Sequence, residues 1–396
     1  MLKKIALWLL IVFVVVVALV MVFLPSALDK RMNPVTPHSA YKVSEKAKSL
    51  HATLFIGDWH ADTLLWNRNI AKHHDYSHVD IPRLQAGNVS LQMFTTVTKS
   101  PSGLNYDQNS ATAADSITKL AIAQRWPVRT WNSLTARALH QANKLHRFEK
   151  DNANDLMIIK SQANLAEFKT RRSTNKNLVG GLIGTEGSHA LDGQLDNVQT
   201  LFDAGFRMMS LQHFFDNKLG ASLHGISQAG ITQFGREVVA KIDELDIILD
   251  VSHSSEQVVA DVLSFYSKPI VVSHTGFKGH CDTARNIADH LMQRIANKGG
   301  LIAVGDWDGA VCGDTPADVV AAMQYGLSLV GEDHISLGSD YDGTVTTAFD
   351  TSELVALTDE MLKAGFSETQ IRKIMGANML RFLEAQLPKK TKLAKP

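Results

Sequence analysis

A histidine and a carboxylate follow a short apolar run near residue 60 of this 396-residue chain. Residues 57–66 read GDWHADTLLW, which places His60 and Asp62 two positions apart. Successive side chains of a β-strand point to opposite faces, so residues two apart share a face and this pair could chelate one metal ion. The same His-x-Asp spacing recurs at His73/Asp75, His78/Asp80 and His280/Asp282. Spacing alone therefore does not single out His60 and Asp62.

Ligand-type side chains also end five further apolar runs. They are Glu186, His213, His253, His274 and Asp340. Each of these residues also has a structural alternative. A lone histidine at a strand end is more often a hydrogen-bonded core residue than a ligand. Glu186 could lie at a helix start, and Asp340 could stabilise a turn, with Asp342 an equal candidate to Asp340. Together, imidazoles and carboxylates form the ligand set of zinc or another divalent metal, and one bridging carboxylate would let them hold two ions. The other three His-x-Asp pairs follow no strand-like run.

The apolar runs that precede these residues predict eight strands. They lie at residues 54–59, 89–96, 178–185, 207–212, 247–252, 269–273, 300–305 and 334–339. Helical spacing between them predicts helices at residues 235–245, 255–266, 287–297 and 316–329. Strands that are apolar on both faces and alternate with helices predict an α/β fold, a closed (β/α)8 TIM-like barrel, with an open doubly wound sheet as the alternative. Residues at the carboxyl ends of barrel strands form one site.

The N-terminus differs from the rest of the chain. Lys3 and Lys4 precede residues 5–24, which contain no charged or polar side chain. As a helix this stretch is about 30 Å long, enough to cross a bilayer core. We expect residues 1–28 to form an uncleaved signal anchor, a single-pass transmembrane helix with the catalytic body outside the cytoplasm, on the periplasmic side in a bacterium. A cleaved signal peptide is the alternative.

The remaining chain divides into a linker at residues 29–49, a barrel domain at residues 50–388 and a basic tail at residues 389–396. Within the barrel, residues 99–177 are too long for one connection, and their pattern predicts a helical elaboration. The 40 basic and 40 acidic residues balance, so nucleic acid is not an expected partner. Cys281 and Cys312 are too few for a disulfide framework; we expect buried free thiols, and a disulfide between them is the alternative.

Ten motifs along residues 50–385 resemble, in order, the membrane dipeptidase (renal dipeptidase, M19 metallopeptidase) family. They read DWHADTL, HVDIPRLQAGNVSLQMF, GTEGSHAL, GFRMMSLQH, HGISQAGITQFGREVV, LDVSHSS, IVVSHT, ARNIAD, GSDYDG and GANMLRFL. The resemblance implies a TIM-like barrel that holds two zinc ions. It assigns His60 and Asp62 to the first zinc, His253 and His274 to the second, and Glu186 to both as the bridging ligand.

The same resemblance implies roles for three more residues. Asp340 would lie beside the bridging water, His213 would contact the substrate near the scissile carbonyl, and Arg285 of ARNIAD would hold the free carboxylate of the substrate. A buried structural salt bridge is the alternative for Arg285. Asp340 would accept the proton of the water and deliver it to the leaving nitrogen.

The function expected is therefore hydrolysis of the peptide bond of dipeptides by a zinc metallopeptidase, with a metal-bridged water as the nucleophile. Two alternatives remain open. One is another binuclear metal hydrolase on the same barrel, acting on amides, lactones or phosphoesters, and the other is a non-catalytic metal-binding descendant. The partners expected are a dipeptide and, through the N-terminal helix, the membrane; a homodimer is possible.

Overall fold

The computed structural model describes residues 1–389, so the predicted basic tail lies, apart from Lys389, outside the described residues. Nine parallel strands form one sheet in this part of the chain, and all their residues are buried. They are β1 (Ile56–Ala61), β2 (Val89–Val97), β3 (Leu156–Ile158), β4 (Val179–Glu186), β5 (Phe206–Ser210), β6 (Ile248–Asp250), β7 (Val271–Thr275), β8 (Leu301–Val304) and β9 (Ile335–Leu337).

Eight of these strands close into a barrel. Their order is β2-β1-β9-β8-β7-β6-β5-β4, and β2 pairs with β4 along its length, from Leu91 opposite Gly180 to Val97 opposite Glu186. This closure confirms the predicted (β/α)8 barrel and excludes the open sheet. The additional strand, β3, was not predicted; it lies in the elaboration and pairs with the first residues of β4.

Helices surround the barrel and build the elaboration. They are α1 (Leu2–Met32), α2 (Glu45–His51), α3 (Ile81–Ala86), α4 (Ser116–Ala123), α5 (Arg129–Asn132), α6 (Leu134–Asp151), α7 (Gln162–Thr174), α8 (Asn197–Asp203), α9 (Gln233–Glu244), α10 (Glu256–Phe265), α11 (Asp289–Asn297), α12 (Asp308–Val311), α13 (Pro316–Val330), α14 (Val355–Lys363), α15 (Glu368–Arg372) and α16 (Asn378–Gln386). The four predicted barrel helices correspond to α9, α10, α11 and α13.

Local sequence explains where these helices begin. Ser255 precedes α10 and its hydroxyl accepts a hydrogen bond from the backbone N–H of Val258. Thr315 and Asp318 form a reciprocal capping box at the start of α13, with Pro316 at its first position. These contacts satisfy backbone donors that a helix start leaves free. The apolar faces of the barrel helices then pack on the strands in one large core.

The N-terminal helix α1 has the length and composition of a membrane-crossing helix. Residues 3–32 have a mean hydropathy of 3.4 in their most apolar part, which makes no buried contact. A signal sequence has the same character, so the helix suggests attachment to a membrane and leaves the topology open. Helix α1 continues to Met32, beyond the expected boundary at residue 28, and its last turn lies against the barrel.

The two cysteines form a disulfide. The Sγ atoms of Cys281 and Cys312 are bonded, so the expectation of free thiols was wrong. Sequence could not decide this, because the two residues are 31 positions apart and their pairing depends on how the loop after β7 packs against α12. The bridge joins two segments at the carboxyl end of the barrel.

Candidate active site

The residues singled out in the sequence converge at the carboxyl end of the barrel. His60 and His274 are the penultimate residues of β1 and β7, and Glu186 is the last residue of β4. His213, His253 and Asp340 each follow a strand by three residues, after β5, β6 and β9 respectively. Parallel strands bring these positions to one rim, and all of the side chains are buried.

Glu186 occupies the centre of the cluster. Its Oε1 atom lies 3.0 Å from Nε2 of His253, 3.3 Å from Nε2 of His274, and 3.3 Å from Nε2 of His213. The Nε2 atom of His60 lies 3.7 Å from the same oxygen. One carboxylate therefore faces four imidazoles, as a ligand shared by two cations would.

Two further carboxylates lie beside His60. Its Nε2 atom is 3.7 Å from Oδ1 of Asp62 and 3.9 Å from Oδ1 of Asp340. Asp62 is held in place by Thr95, whose hydroxyl donates to Oδ1 at 2.6 Å. The candidate ligand atoms form two sets, each compact enough to hold one ion. The first set is His60, Glu186, His274 and Asp340, and the second is Glu186, His213 and His253. Asp62 adjoins the first set through His60.

The donor atoms fit divalent cations. Nε2 of His253 and Nε2 of His274 face each other at 2.9 Å, and the buried Nε2 of His60 lacks a hydrogen-bond partner. Burial and the nearby Arg285 keep the pKa of His253 well below the usual range. Burial, His60 and Arg285 do the same for the pKa of His274. Neutral imidazoles have the free lone pair that a metal requires. The closely spaced nitrogen and carboxylate donors are therefore suited to binding cations.

Burial and the neighbouring carboxylates raise the pKa values of two acids in the cluster. Burial raises the pKa of Asp340 well above its usual range; Glu186 and Asp62 add to this, and His60 opposes it. Burial and Glu186 likewise raise the pKa of Asp62 to about 6, against the opposing effects of the adjacent His60 ring and of the hydrogen bond from Thr95. Crowded acids of this kind favour an added positive charge, whether a proton or a metal ion.

Arg285 lies beside the cluster with its guanidinium fully buried. Its Nη1 and Nη2 groups donate to the backbone oxygens of Ser252 and His274, at 3.1 and 2.6 Å. The guanidinium also lies 5.4 Å from the ring centre of Trp307. These contacts do not form a salt bridge, and a guanidinium has five N–H donors, so N–H groups remain for an anionic ligand.

A cavity of about 220 Å³ opens onto the cluster. It is smaller than the roughly 300–1,000 Å³ of sites for drug-sized ligands, which suits a small substrate. The elaboration supplies part of its wall through Leu104, Asn105, Tyr106 and Ile117. The hydroxyl of Tyr106 accepts a hydrogen bond from Nε1 of Trp307 at 3.0 Å, which ties this wall to the Arg285 side.

Comparison with known proteins identifies the family. Residues 44–395 match the sequence profile described as membrane dipeptidase, peptidase family M19. The chain belongs to the membrane dipeptidase family. It is accordingly a metallopeptidase, as the motifs predicted, and the buried cluster of histidines and carboxylates has the donor atoms that could hold a metal ion.

Solved structures share the fold. The probable dipeptidase PvdM from Pseudomonas aeruginosa superimposes with a TM-score of 0.71 at 18% identity, over 88% of this chain and 98% of that one. A metallopeptidase from Rhodobacter sphaeroides, liganded with a phosphinate mimic of L-Ala-D-Ala, has a TM-score of 0.67 at 22% identity, over 84% and 99%. Dipeptidase AC, an M19 metallopeptidase, has a TM-score of 0.67 at 23% identity, over 85% and 99%.

The candidate site also contains a supporting hydrogen-bond network that the sequence reasoning missed. The hydroxyl of Ser273 donates to Oδ2 of Asp250 at 2.7 Å, and Nδ1 of His60 and Nδ1 of His274 each lie 3.0 Å from the same hydroxyl oxygen. A hydroxyl has one hydrogen and two lone pairs, so both imidazoles donate from Nδ1 and keep Nε2 free to bind. A serine directly before a candidate histidine was the available signal.

His213 is oriented in the same way from another segment of the enzyme. Its Nδ1 atom lies 3.0 Å from the carbonyl oxygen of Lys99, which can only accept, so Nδ1 carries the proton. Burial opposes protonation of the ring, but Glu186 and the Lys99 carbonyl raise its pKa above the ordinary value. The start of the elaboration thereby sets the orientation of His213.

Proposed function

We propose that this metallopeptidase hydrolyses the peptide bond of dipeptides with two zinc ions bound at the cluster. The observation that carries the proposal is the position of Glu186, whose Oε1 atom faces the Nε2 atoms of four histidines. The family resemblance assigns His60 and Asp62 to one ion and His253 and His274 to the other, with Glu186 as the bridge. The distances between ligand atoms instead group His274 with His60, and His213 with His253. When bound, the two ions lower the pKa of a shared water and polarise the peptide carbonyl.

Asp340 is the proposed proton carrier. It lies within the cluster, its Oδ1 atom 3.9 Å from Nε2 of His60, and it also lines the cavity. Burial raises the pKa of this carboxyl, and its position in the cluster suits a group that accepts a proton from the attacking water and donates it to the leaving nitrogen. The water oxygen first forms the new C–O bond to the carbonyl carbon, and the C–N bond breaks after the nitrogen has received the proton from Asp340, so that it leaves as a free amine.

Arg285 and His213 would orient the dipeptide. The remaining N–H groups of Arg285 can bind the free C-terminal carboxylate, which selects short peptides with that carboxylate close to the scissile bond. His213 lines the cavity beside Glu186 and would contact the substrate near the carbonyl. The small cavity supports a dipeptide over a longer chain.

The disulfide supports a location outside the cytoplasm. Disulfides persist in oxidising compartments and are rare where thiols are kept reduced. The Cys281–Cys312 bridge and the apolar helix α1 together fit a body that is exported and held at the membrane. In a bacterium this compartment would be the periplasm.

The proposal is tested with the full-length protein in detergent and a dipeptide panel that includes L-Ala-L-Ala and L-Ala-D-Ala. We expect hydrolysis that is lost on chelation and restored by zinc, with about two zinc ions per chain. Asp340→Asn should lower kcat by at least about 100-fold with zinc content unchanged. Asp282→Asn, which alters an exposed carboxylate of an unrelated His-x-Asp pair, is the matched control and should be as active as the wild type.

Two results would contradict this function. Hydrolysis of aryl phosphates, lactones or amidated amino acids without any action on dipeptides would assign the site to another binuclear hydrolase. Full activity of Asp340→Asn would remove Asp340 from the mechanism.

A further inference from the structure

The last turn of the membrane helix α1 is bonded into the barrel. Asp29 is 1% exposed, and both of its carboxylate oxygens accept hydrogen bonds from Nη1 of Arg68, at 2.8 and 2.6 Å. The hydroxyl of Ser77 and the side-chain amide of Asn33 donate to Oδ1 at 2.6 and 2.8 Å. A linker that only tethers a domain to a membrane does not need a buried, fully bonded carboxylate.

Arg68 continues this connection to the loop after β9. Its Nη2 group is bonded to Oδ2 of Asp342, two residues beyond Asp340, and donates to the backbone oxygen of Val79 at 3.0 Å. Asp342 also accepts from the hydroxyl of Thr63 at 2.7 Å, next to the ligand Asp62. One buried guanidinium is therefore shared between a carboxylate of the anchor and a carboxylate of the loop.

The loop itself has a backbone that needs outside support. Asp340, Asp342 and Thr344 all have positive φ angles, of 60°, 63° and 67°, which residues other than glycine rarely adopt. Such conformations persist when the surrounding structure imposes them. Asp342 is one point of support, through Arg68.

The residues that follow α1 support the same loop a second time. The side-chain oxygen of Asn33 accepts from the backbone N–H of Thr344 at 2.9 Å. The backbone oxygen of Pro34 accepts from Thr347 N–H at 3.3 Å, and Thr36 N–H donates back to Thr347 at 2.7 Å. Asp340, Gly343, Thr344 and Val345 line the substrate cavity, so this support reaches one wall of the site.

We infer that Asp29 is a positioning residue for the reaction: through Arg68 and Asp342 it holds the loop that carries Asp340, so that the end of the membrane anchor is part of the active-site framework. Asp29 does not touch the cluster and acts only through its neighbours. Its effect on turnover rests on the role of Asp340 in the proposed function, whereas its effect on the loop does not.

The bonded end of the helix lies close to its apolar stretch. Asp29 lies five residues after Leu24, the last residue of that stretch, which corresponds to about 7 Å along a helix.

The test compares Asp29→Asn with the wild type as full-length, zinc-loaded proteins in detergent. A catalytic group displaced by about 1 Å can lose about 100-fold in rate, so we expect kcat to fall by roughly 10- to 100-fold with little change in KM. Zinc content should stay the same, because Asp29 contacts none of the ligands. Amide hydrogen exchange of residues 340–347 should become faster. Lys30→Gln, an exposed change in the same helix turn, is the control and should match the wild type in every measurement.

A general loss of stability would give a different pattern. It would reduce the folded fraction and raise exchange across the barrel, while kcat per folded, zinc-loaded molecule stayed constant. That pattern, or a kcat within twofold of the wild type together with unchanged exchange of the loop, would overturn the inference.

A second variant keeps the test decisive if Asp29→Asn does not fold. Asn33→Ala removes the bond to Thr344 and leaves the charges in place, and we expect a fall in kcat of about 3- to 10-fold with faster exchange of residues 340–347. Unchanged kcat and exchange in this variant would overturn the inference. If the wild type hydrolyses no dipeptide, the proposed function fails, and hydrogen exchange alone still decides whether Asp29 and Asn33 hold the loop.

Discussion

At the scale of single residues, the hydroxyl of Ser273 determines which ring nitrogen of His60 and of His274 carries the proton. Ser273 accepts from Nδ1 of His60 and Nδ1 of His274 only because its own hydrogen is committed to Asp250. Asp250 is fixed in turn by the hydroxyl of Ser252, which donates to Oδ1 at 2.6 Å. The carboxylate of Asp250 thus sets which nitrogen of each imidazole is free, although it contacts neither ring.

Asp250→Asn should therefore weaken metal binding. An amide can donate to Ser273 and reverse the hydrogen bond, which removes the acceptor that both Nδ1–H groups use. We expect zinc affinity to fall about 10- to 100-fold, the range typical for such supporting residues. Competition with a chromogenic chelator measures it directly. Glu237→Gln, on the exposed face of α9, should leave affinity unchanged, and an equal affinity for Asp250→Asn would contradict the role assigned to Ser273.

At the scale of elements, the segments after the strands matter as much as the strands. The disulfide joins the loop between β7 and α11, which carries Arg285, to Cys312 at the end of α12, close to Trp307. Trp307 in turn contacts both Arg285 and Tyr106. Three separate connections of the barrel are thereby held around one side of the cavity.

Removing the bridge should lower stability and loosen substrate binding. A cross-link closing about 31 residues contributes on the order of 3 to 4 kcal/mol in the chain-entropy model. We expect the double variant Cys281→Ala/Cys312→Ala to melt several degrees below the wild type and to have a higher KM for dipeptides. Adding a reductant to unfolding wild-type protein should produce the same shift and should not affect the variant. A variant with unchanged Tm and KM would show that the bridge constrains nothing.

The contact between α2 and α14 introduces a pH dependence of stability. His51, the last residue of α2, contacts Thr358 of α14 through Nδ1 at 2.8 Å and the backbone oxygen of Gly87 through Nε2 at 3.2 Å. Burial lowers the pKa of His51 to about 4, although the bond to Gly87 opposes this. The folded protein therefore binds the proton more weakly than the unfolded chain does.

The sign of the effect follows from that difference. The unfolded chain, with a histidine pKa near 6.5, binds more protons than the folded protein between pH 6.5 and about 4. Stability from neutral His51 is complete above pH 6.5 and is lost as the pH falls through this window, by about 3 kcal/mol in total. In urea unfolding series, His51→Gln should show a smaller loss between pH 7 and 4 than the wild type. Parallel curves for the two proteins would contradict this account.

At the scale of the whole molecule, the anchor and the catalytic body are continuous. Helix α1 ends at Met32 with its last turn packed on the barrel, and Val35 then pairs with Thr347 beside the cavity. Residues 5–17 of the helix are exposed, whereas Pro25 and Asp29 are buried and Leu28 packs against the core. The part of α1 that contacts the barrel therefore begins before Asp29, several residues before the helix ends.

Two N-terminal deletions should separate attachment to the membrane from support of the active site. Without residues 2–24, the chain should move from the membrane fraction to the soluble fraction and keep its dipeptidase activity, because Asp29 and Asn33 remain. Without residues 2–34, it should also become soluble but should lose most of its kcat. Sedimentation after washing with high salt, followed by dipeptide assays, measures both outcomes. Equal activity of the two deletions would show that anchor and site are independent.

Local sequence patterns were sufficient to predict the barrel and the family. Strand-type runs, helical spacing and the polar residues that follow each run are local patterns, since neighbouring residues alone decide which face a side chain takes. Parallel strands then bring their ends together whatever lies between them, so His60, Glu186 and His274 could be grouped from their positions. The elaboration was recognised from its length, but the short strand β3 was missed.

The pairing of residues that are distant in the chain could not be predicted from these local patterns. The Cys281–Cys312 bridge, the hydroxyl shared by two histidines, and the Arg68 guanidinium between Asp29 and Asp342 join segments whose separation in the chain leaves no periodic signal. Such contacts depend on loop paths and packing, which are set after the barrel has closed. The motif at His60 therefore indicated a metal site, while the residues that support it, including those at the end of helix α1, became visible only in three dimensions.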